Sequence, residues 1–207
     1  MVNHHLEQMA QAIFKSWFVD FEPWGGKKPM DWKNGCLGDI AVISSGKRPP
    51  MRQNNKMNFA NIPLVGASSV MGYTNAILYN EKILIIGRVG THGIVQRFST
   101  PCWASDNTLV IKSNFYEFAY QQLLMVDFFN INRGSTQPLI TQTDMKNMPI
   151  IVPDRNILHE FETLVNVLMA LHEDNSKESI HLATLRDTLL PRLMSGELSV
   201  ADIDTAK

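Results

Sequence analysis

The chain has 207 residues, room for one ordinary domain and an appendage, and its 44% hydrophobic content can bury a sizeable core. No stretch approaches the roughly 18 consecutive apolar residues of a membrane helix, and the N-terminus is too polar for a signal peptide, so a soluble, cytoplasmic protein is expected. The net charge of −1 conceals an asymmetry: residues 22–153 hold 13 Lys and Arg against 8 Asp and Glu, whereas the flanks together hold 6 against 12.

Residues 9–21 read as an amphipathic helix, with Leu6, Met9, Ile13 and Trp17 as one apolar stripe. Residues 23–29, rich in Gly and Pro, break it and act as a linker. The pattern then changes to short β-rich runs at 40–43, 62–65, 83–86, 93–96 and 108–111, each bounded by turn-forming residues. Residues 115–129 are helix-like, with Phe118, Leu123, Leu124 and Val126 as buried candidates, and 150–152 reads as a last strand before Pro153.

The chain closes on a long heptad pattern. Ile157, Phe161, Leu164, Leu168, Leu171, Asn175, Glu178, Leu182, Leu185 and Leu189 follow one alternating four-three spacing, and eight of the ten are large and apolar. A helix over this span would run about 50 Å at roughly 1.5 Å per residue, long enough to serve as a spacer. Pro191 and the pair Ser195 and Gly196 predict a kink or an end. Asn175 and Glu178 interrupt the seam, either as a helix-helix turn or solvated stretch, or as a polar layer that sets register. The boundaries expected are a helical segment at 1–22, a β-rich domain at 23–153 and a long helix at 154–207.

Within the basic middle, Lys27, Lys28, Lys33, Lys47, Arg48, Arg52 and Lys56 crowd one stretch, which suits a polyanion such as DNA or simply a solvated surface. Gly46, Lys47 and Arg48 form a positive turn able to touch a phosphate, but the segment lacks the spacing of an ATP-binding loop. Gly87, Arg88, Gly90, Thr91 and His92 follow the apolar run at 83–86. Their glycines allow close approach to a ligand, and Arg88 offers a planar fork for phosphate or the guanine edge. A hairpin turn with a solvent-facing Arg would look the same. Arg133, Gly134, Ser135, Thr136 and Gln137 form a third donor-rich loop, equally readable as a polar turn. Cys36 and Cys102 are read as reduced structural thiols, and the scattered Met residues as core filler. Neither a metal cluster nor a nucleophile-base pattern stands out, so catalysis by this chain is not expected.

Taken in order, these segments resemble the DNA specificity subunit of type I restriction-modification systems. Residues 6–23 are similar to its central helical region and residues 185–198 to its C-terminal one. Between them, Gly38-Asp39-Ile40 with Ser45-Gly46-Lys47, Ile62-Pro63-Leu64-Val65 with Gly72-Tyr73-Thr74, Gly87-Arg88-Val89-Gly90, and Gly134-Ser135-Thr136-Gln137 with Ile150-Ile151-Val152-Pro153 resemble the ordered landmarks of a target recognition domain. The resemblance implies an α+β fold, a β-rich target recognition domain flanked by long conserved-region helices forming a coiled-coil-like spacer. It also implies a non-catalytic subunit without cofactors that reads one half of a bipartite double-stranded DNA target. Its partners would be modification (methyltransferase) subunits, a restriction subunit where the system has one, and a second specificity half or a homodimer, with no membrane. The partner-helix residues are Leu164, Leu168, Leu171, Leu182, Leu185 and Leu189. Two rival readings are a coiled-coil interaction module with a non-DNA-binding β-rich domain, and a stand-alone hydrolase using His92 and Asp106.

Overall fold

A computed structural model describes residues 2–89, 93–128 and 139–198. The fold is α+β, and the chain separates into two compact units, one made of Met1–Ile13 with Val165–Lys207 and the other of Phe14–Leu164.

Helix α1 (Val2–Phe18) buries Leu6, Ala10, Phe14 and Phe18, a stripe repeating every fourth residue. The expected stripe lay one position aside: Met9 is 50% exposed and Ile13 half-buried. Small Ala10 lets a neighbour approach closely, and the two phenylalanines carry more area to bury. The helix ends where the Val19 and Asp20 amides both return to the Lys15 carbonyl. A 3-10 turn, Glu22–Trp24, follows, with Gly25 and Gly26 at φ 70° and 75° where the chain reverses.

The larger unit carries strands β1 (Lys33–Cys36), β2 (Ala41–Ser45), β3 (Ile62–Val65), β4 (Val70–Thr74), β5 (Ile83–Gly87), β6 (Gln96–Phe98), β7 (Trp103–Ala104), β8 (Thr108–Ser113) and β9 (Pro149–Val152). It also carries helices α2 (Tyr116–Leu124) and α3 (Gln142–Lys146). Among the described residues the strands form a four-stranded sheet ordered β2-β8-β5-β6, a three-stranded sheet β4-β3-β7 and a pair β1-β9. Central β5 and β8 are apolar and buried on both faces. Ile83 and Ile85 join Val65, Cys102, Ala104 and Val110 in one cluster, while Leu84 and Ile86 alternate to the other side. Burial pushes the Cys102 thiol up to about 11, which leaves it an inert apolar filler.

The strand expected at 93–96 forms instead at Gln96–Phe98, where Phe98 pairs with Ile83. In α2, Phe118 and Leu123 are buried as expected, but Leu124 is exposed and Val126 lies past the helix end, half-buried. Phe14, Phe18, Phe118 and Phe161 interlock, with Phe18 centred 4.9 Å from Phe118 and 5.1 Å from Phe161, and this edge-to-face contact fixes α2 against the ends of the flanking helices. Two buried carboxylates add direction. Glu117 accepts both Arg97 guanidinium nitrogens at 2.6 Å, and Glu162 accepts the Phe118 amide at 2.8 Å. Burial works against the Arg97 charge, yet the bonds and charge of Glu117 outweigh it and its pKa is raised.

Helix α4 (Arg155–Met194) runs without a break through Asn175 and Glu178, so no helix-helix turn lies there. In the smaller unit Asn3 Nδ2 donates to Ser176 Oγ at 2.8 Å and to the His172 carbonyl at 3.3 Å, and Glu7 meets His172 at 3.2 Å. The helix passes Pro191 and ends at Met194, with Gly196 at φ 76° as the stop. Pro191 is tolerated because it sits within a turn of the end and costs a single ladder bond. The buried apolar positions of α4 are Leu158, Phe161, Val165 and Met169. The expected partner seam is otherwise uncovered: Leu164, Leu171, Leu182, Leu185 and Leu189 are exposed and Leu168 is half-buried. No described helix is long and apolar enough to cross a membrane.

Candidate nucleic-acid interface

Both β2 and β5 pair antiparallel with β8, so they run the same way and end beside the start of β8. Ser45 stands opposite Leu109, and Gly87 opposite Thr108. Sheet topology therefore brings the segments after β2, after β5 and before β8 to one end of the sheet. Main-chain bonds hold them there. The Gly46 amide donates to the Thr108 carbonyl at 3.0 Å, Lys47 to Ala104 at 2.9 Å and Arg88 to Asn107 at 3.0 Å. The Trp103 indole N–H donates to the Lys47 carbonyl at 2.7 Å.

Gly46 is present for space. A Cβ there would stand 2.1 Å from the Ser105 carbonyl and 2.6 Å from that of Ala104. Gly72, at φ 150°, plays the matching part beneath the next segment: its added Cβ would meet the Gln53 carbonyl at 2.5 Å. The amides and carbonyls of Gln53 and Tyr73 bond in both directions, which holds the segment leading to Gln53 against β4.

Of the residues anticipated from the sequence, Gly46 is buried, Lys47 and Arg48 project into solvent, Gly87 closes β5 in a buried position, and Arg88 is half-buried. Gly90, Thr91 and His92, and Arg133, Gly134, Ser135, Thr136 and Gln137, lie outside the described residues. The chain just after that last group is described: Leu139 bridges Val89, the Ile140 amide donates to the Arg88 carbonyl at 3.0 Å, and Gln142 Nε2 donates to Ser45 Oγ at 2.8 Å. Both main-chain groups of Arg88 are thus engaged, while its buried Nε meets no acceptor among the described residues. A buried donor in that state costs about 1–3 kcal/mol, so the guanidinium is poised for an acceptor from outside.

A cleft of about 500 Å³ opens at the same end, between residues 48–52 on one wall and 105–107 on the other, with Leu64 and Met71 also lining it. Arg52 Nη2 donates to the Met71 carbonyl at 3.2 Å. Ser105, Asp106 and Asn107 were not among the anticipated contacts; their only sequence signal is three small polar residues ahead of an apolar run, the mark of a turn. A polar hollow of about 380 Å³ at the opposite end of the sheet differs in kind. Its Lys112 pairs with Glu81, its Lys82 lies over the Tyr116 ring, and its Asp39 accepts the Cys36 amide. Among the described residues no cluster suited to a metal ion occurs.

Comparison with known proteins agrees with this architecture. The chain is 27% identical to the type I restriction enzyme MjaIX specificity subunit of Methanocaldococcus jannaschii, over 97% of this chain and 55% of that protein. It is 22% identical to the HindI specificity subunit of Haemophilus influenzae, over 95% of this chain and 62% of that one. The chain thus spans little more than half the length of these curated relatives. Its fold resembles the crystal structure of the type I restriction-modification S subunit from M. genitalium, with a TM-score of 0.67 and 17% identity over 93% of this chain and 54% of that one. The family model for the type I restriction modification DNA specificity domain matches residues 29–182, nearly all of the β-rich unit and much of α4, and the chain belongs to that family.

Proposed function

We propose that this chain is a non-catalytic, cytoplasmic specificity component of a type I restriction-modification complex. Its β-rich unit reads one half of a bipartite duplex target through Gly46 to Arg48, Gly87 to His92 and Arg133 to Gln137. The observation that carries the reading is the convergence of the β2, β5 and β8 ends, where Lys47 and Arg48 are exposed and Arg88 keeps a buried donor that no described residue accepts. The exposed ammonium of Lys47 suits phosphate, and the guanidinium forks of Arg48 and Arg88 suit a base edge as well as phosphate.

The long helices set the distance between half-sites and dock the modification subunits. Leu171, Leu182, Leu185 and Leu189 leave an apolar stripe of α4 uncovered, which suits a helix from a second copy or from a second specificity half. A homodimer would be two-fold symmetric and would demand a symmetric target.

Adenine methylation mapping on a plasmid co-expressed with this chain and its system's modification subunit tests the reading. A symmetric split motif establishes a working half-subunit. Methylation that returns only when a second specificity half is supplied identifies heterologous pairing, and methylation under neither condition rejects the reading.

A further inference from the structure

We infer that Asp106 and Arg48 together read one G·C base pair from the major groove, the cleft between residues 48–52 and 105–107 receiving its edge. This deepens the proposed function and rests on it.

The argument begins from a misplaced charge. A surface that meets duplex DNA faces phosphates, and a carboxylate there repels them. Asp106 nevertheless lines the same cleft as Arg48 and Arg52, exposed. Among the described residues its carboxylate has no ion-pair or hydrogen-bond partner, and neither does the Arg48 guanidinium. The turn does not need the carboxylate, because other groups close it: the Thr108 amide and Oγ1 both donate to the Ser105 carbonyl, at 3.1 and 2.7 Å, and the Arg88 amide donates to that of Asn107. Beside Asp106, Ser105 is 2% exposed, and its Oγ is buried at the cleft wall with no partner among the described residues. The hollow at the other end of the sheet, with its charges paired, shows what a finished polar surface looks like in this chain.

In the major groove, guanine presents O6 and N7, two adjacent acceptors, and its cytosine presents the N4 amine, a donor, next to them. A guanidinium fork and a carboxylate acceptor in one cleft match that row. An A·T pair offers no adjacent pair of acceptors, so the fork loses half its bonds there. Asp106 thereby acquires a donor instead of facing phosphate, and Arg48 acquires the acceptors it lacks among the described residues.

The test is selection from a randomised duplex library by the full chain assembled with its modification subunits. The wild-type motif is expected to contain a position where G·C dominates. Arg48→Ala and Asp106→Ala should each erase preference at that one position, by about tenfold, and leave the others. On random DNA the two should diverge: Arg48→Ala weakens binding, while Asp106→Ala tightens it by removing a repelling charge. Arg48→Lys should restore random-DNA affinity without restoring the G·C preference, since an ammonium is no fork. If Asp106→Ala tightens specific and random DNA alike with the motif intact, Asp106 only repels phosphate and the inference is wrong. Loss of preference at different positions in the two variants overturns it as well. A wild-type complex that selects no motif refutes the DNA-reading function itself, a separate outcome.

Discussion

Arg88 and Glu162 show how far a single side chain's surroundings constrain its part. With both main-chain groups of Arg88 bonded, Arg88→Ala removes only the guanidinium and leaves the β5 turn in place. Specific binding should weaken by about 1 to 3 kcal/mol if Arg88 reads a base; an equal loss on random DNA with a shallower salt slope would assign it to phosphate. Glu162 makes a second case. Burial, offset in part by the amides it accepts, pushes its carboxyl up to about 7 from an ordinary 4.5. Between those values the folded chain holds a proton that the unfolded chain releases, so this group's contribution is complete below about pH 4.5 and is lost as pH rises through about 7. Glu162→Gln keeps an acceptor for the Phe118 amide without the charge. Its melting curves from pH 5 to 8 should show a flatter pH dependence, with a gain on the order of 2 kcal/mol at the alkaline end. An unchanged pH slope would show that the carboxyl titrates normally.

At the scale of elements, legibility followed the source of each element's stability. The runs at 83–86 and 108–111 were readable because β5 and most of β8 are buried, and 62–65 because β3 buries Leu64 and Val65, and burial demands contiguous apolar residues. Strands β1 (Lys-Asn-Gly-Cys) and β4 (Val-Met-Gly-Tyr-Thr) gave no such signal: β1 exists through its pairing with β9, and β4 through pairing with β3. The β-branched run 93–96 misled because pairing with β5, not local propensity, sets where β6 begins. The ends of α1 and α4 were marked by Gly and Pro, but the buried face was not, since several apolar stripes share each helix and only packing selects one. The unselected stripe of α4 makes a prediction at this scale. Leu182→Glu combined with Leu189→Glu should weaken self-association by at least tenfold in sedimentation while far-ultraviolet dichroism stays the same. Melting of the helix without any change in association would mean that the stripe does not serve a partner.

At the scale of the molecule, basic residues gather in the middle of the sequence and acidic ones in its flanks, the division expected if the middle faces DNA as proposed. Binding to duplex DNA should therefore fall steeply with salt, and a log-log slope near zero in a chain that still self-associates would point to an interaction module instead. The order of landmarks along the chain was legible as a whole, whereas the cleft was not. Its walls lie more than fifty residues apart in sequence and meet only because β2 and β5 both pair with β8. Asp106 illustrates the cost of lacking that information: in the sequence its only suggested company was His92, in a hydrolase reading that nothing else supported.

This end of the sheet is stapled by main-chain bonds and by a glycine without room for a side chain, and among the described residues the exposed side chains of Lys47, Arg48, Asp106 and Asn107 add no bond to that frame. Under the proposed function, substitutions at these tips are free to accumulate as new target sequences instead of as lost stability. A saturation library over them should yield variants that express alike and sort by the DNA they choose, which makes this end of the sheet a natural place for retargeting.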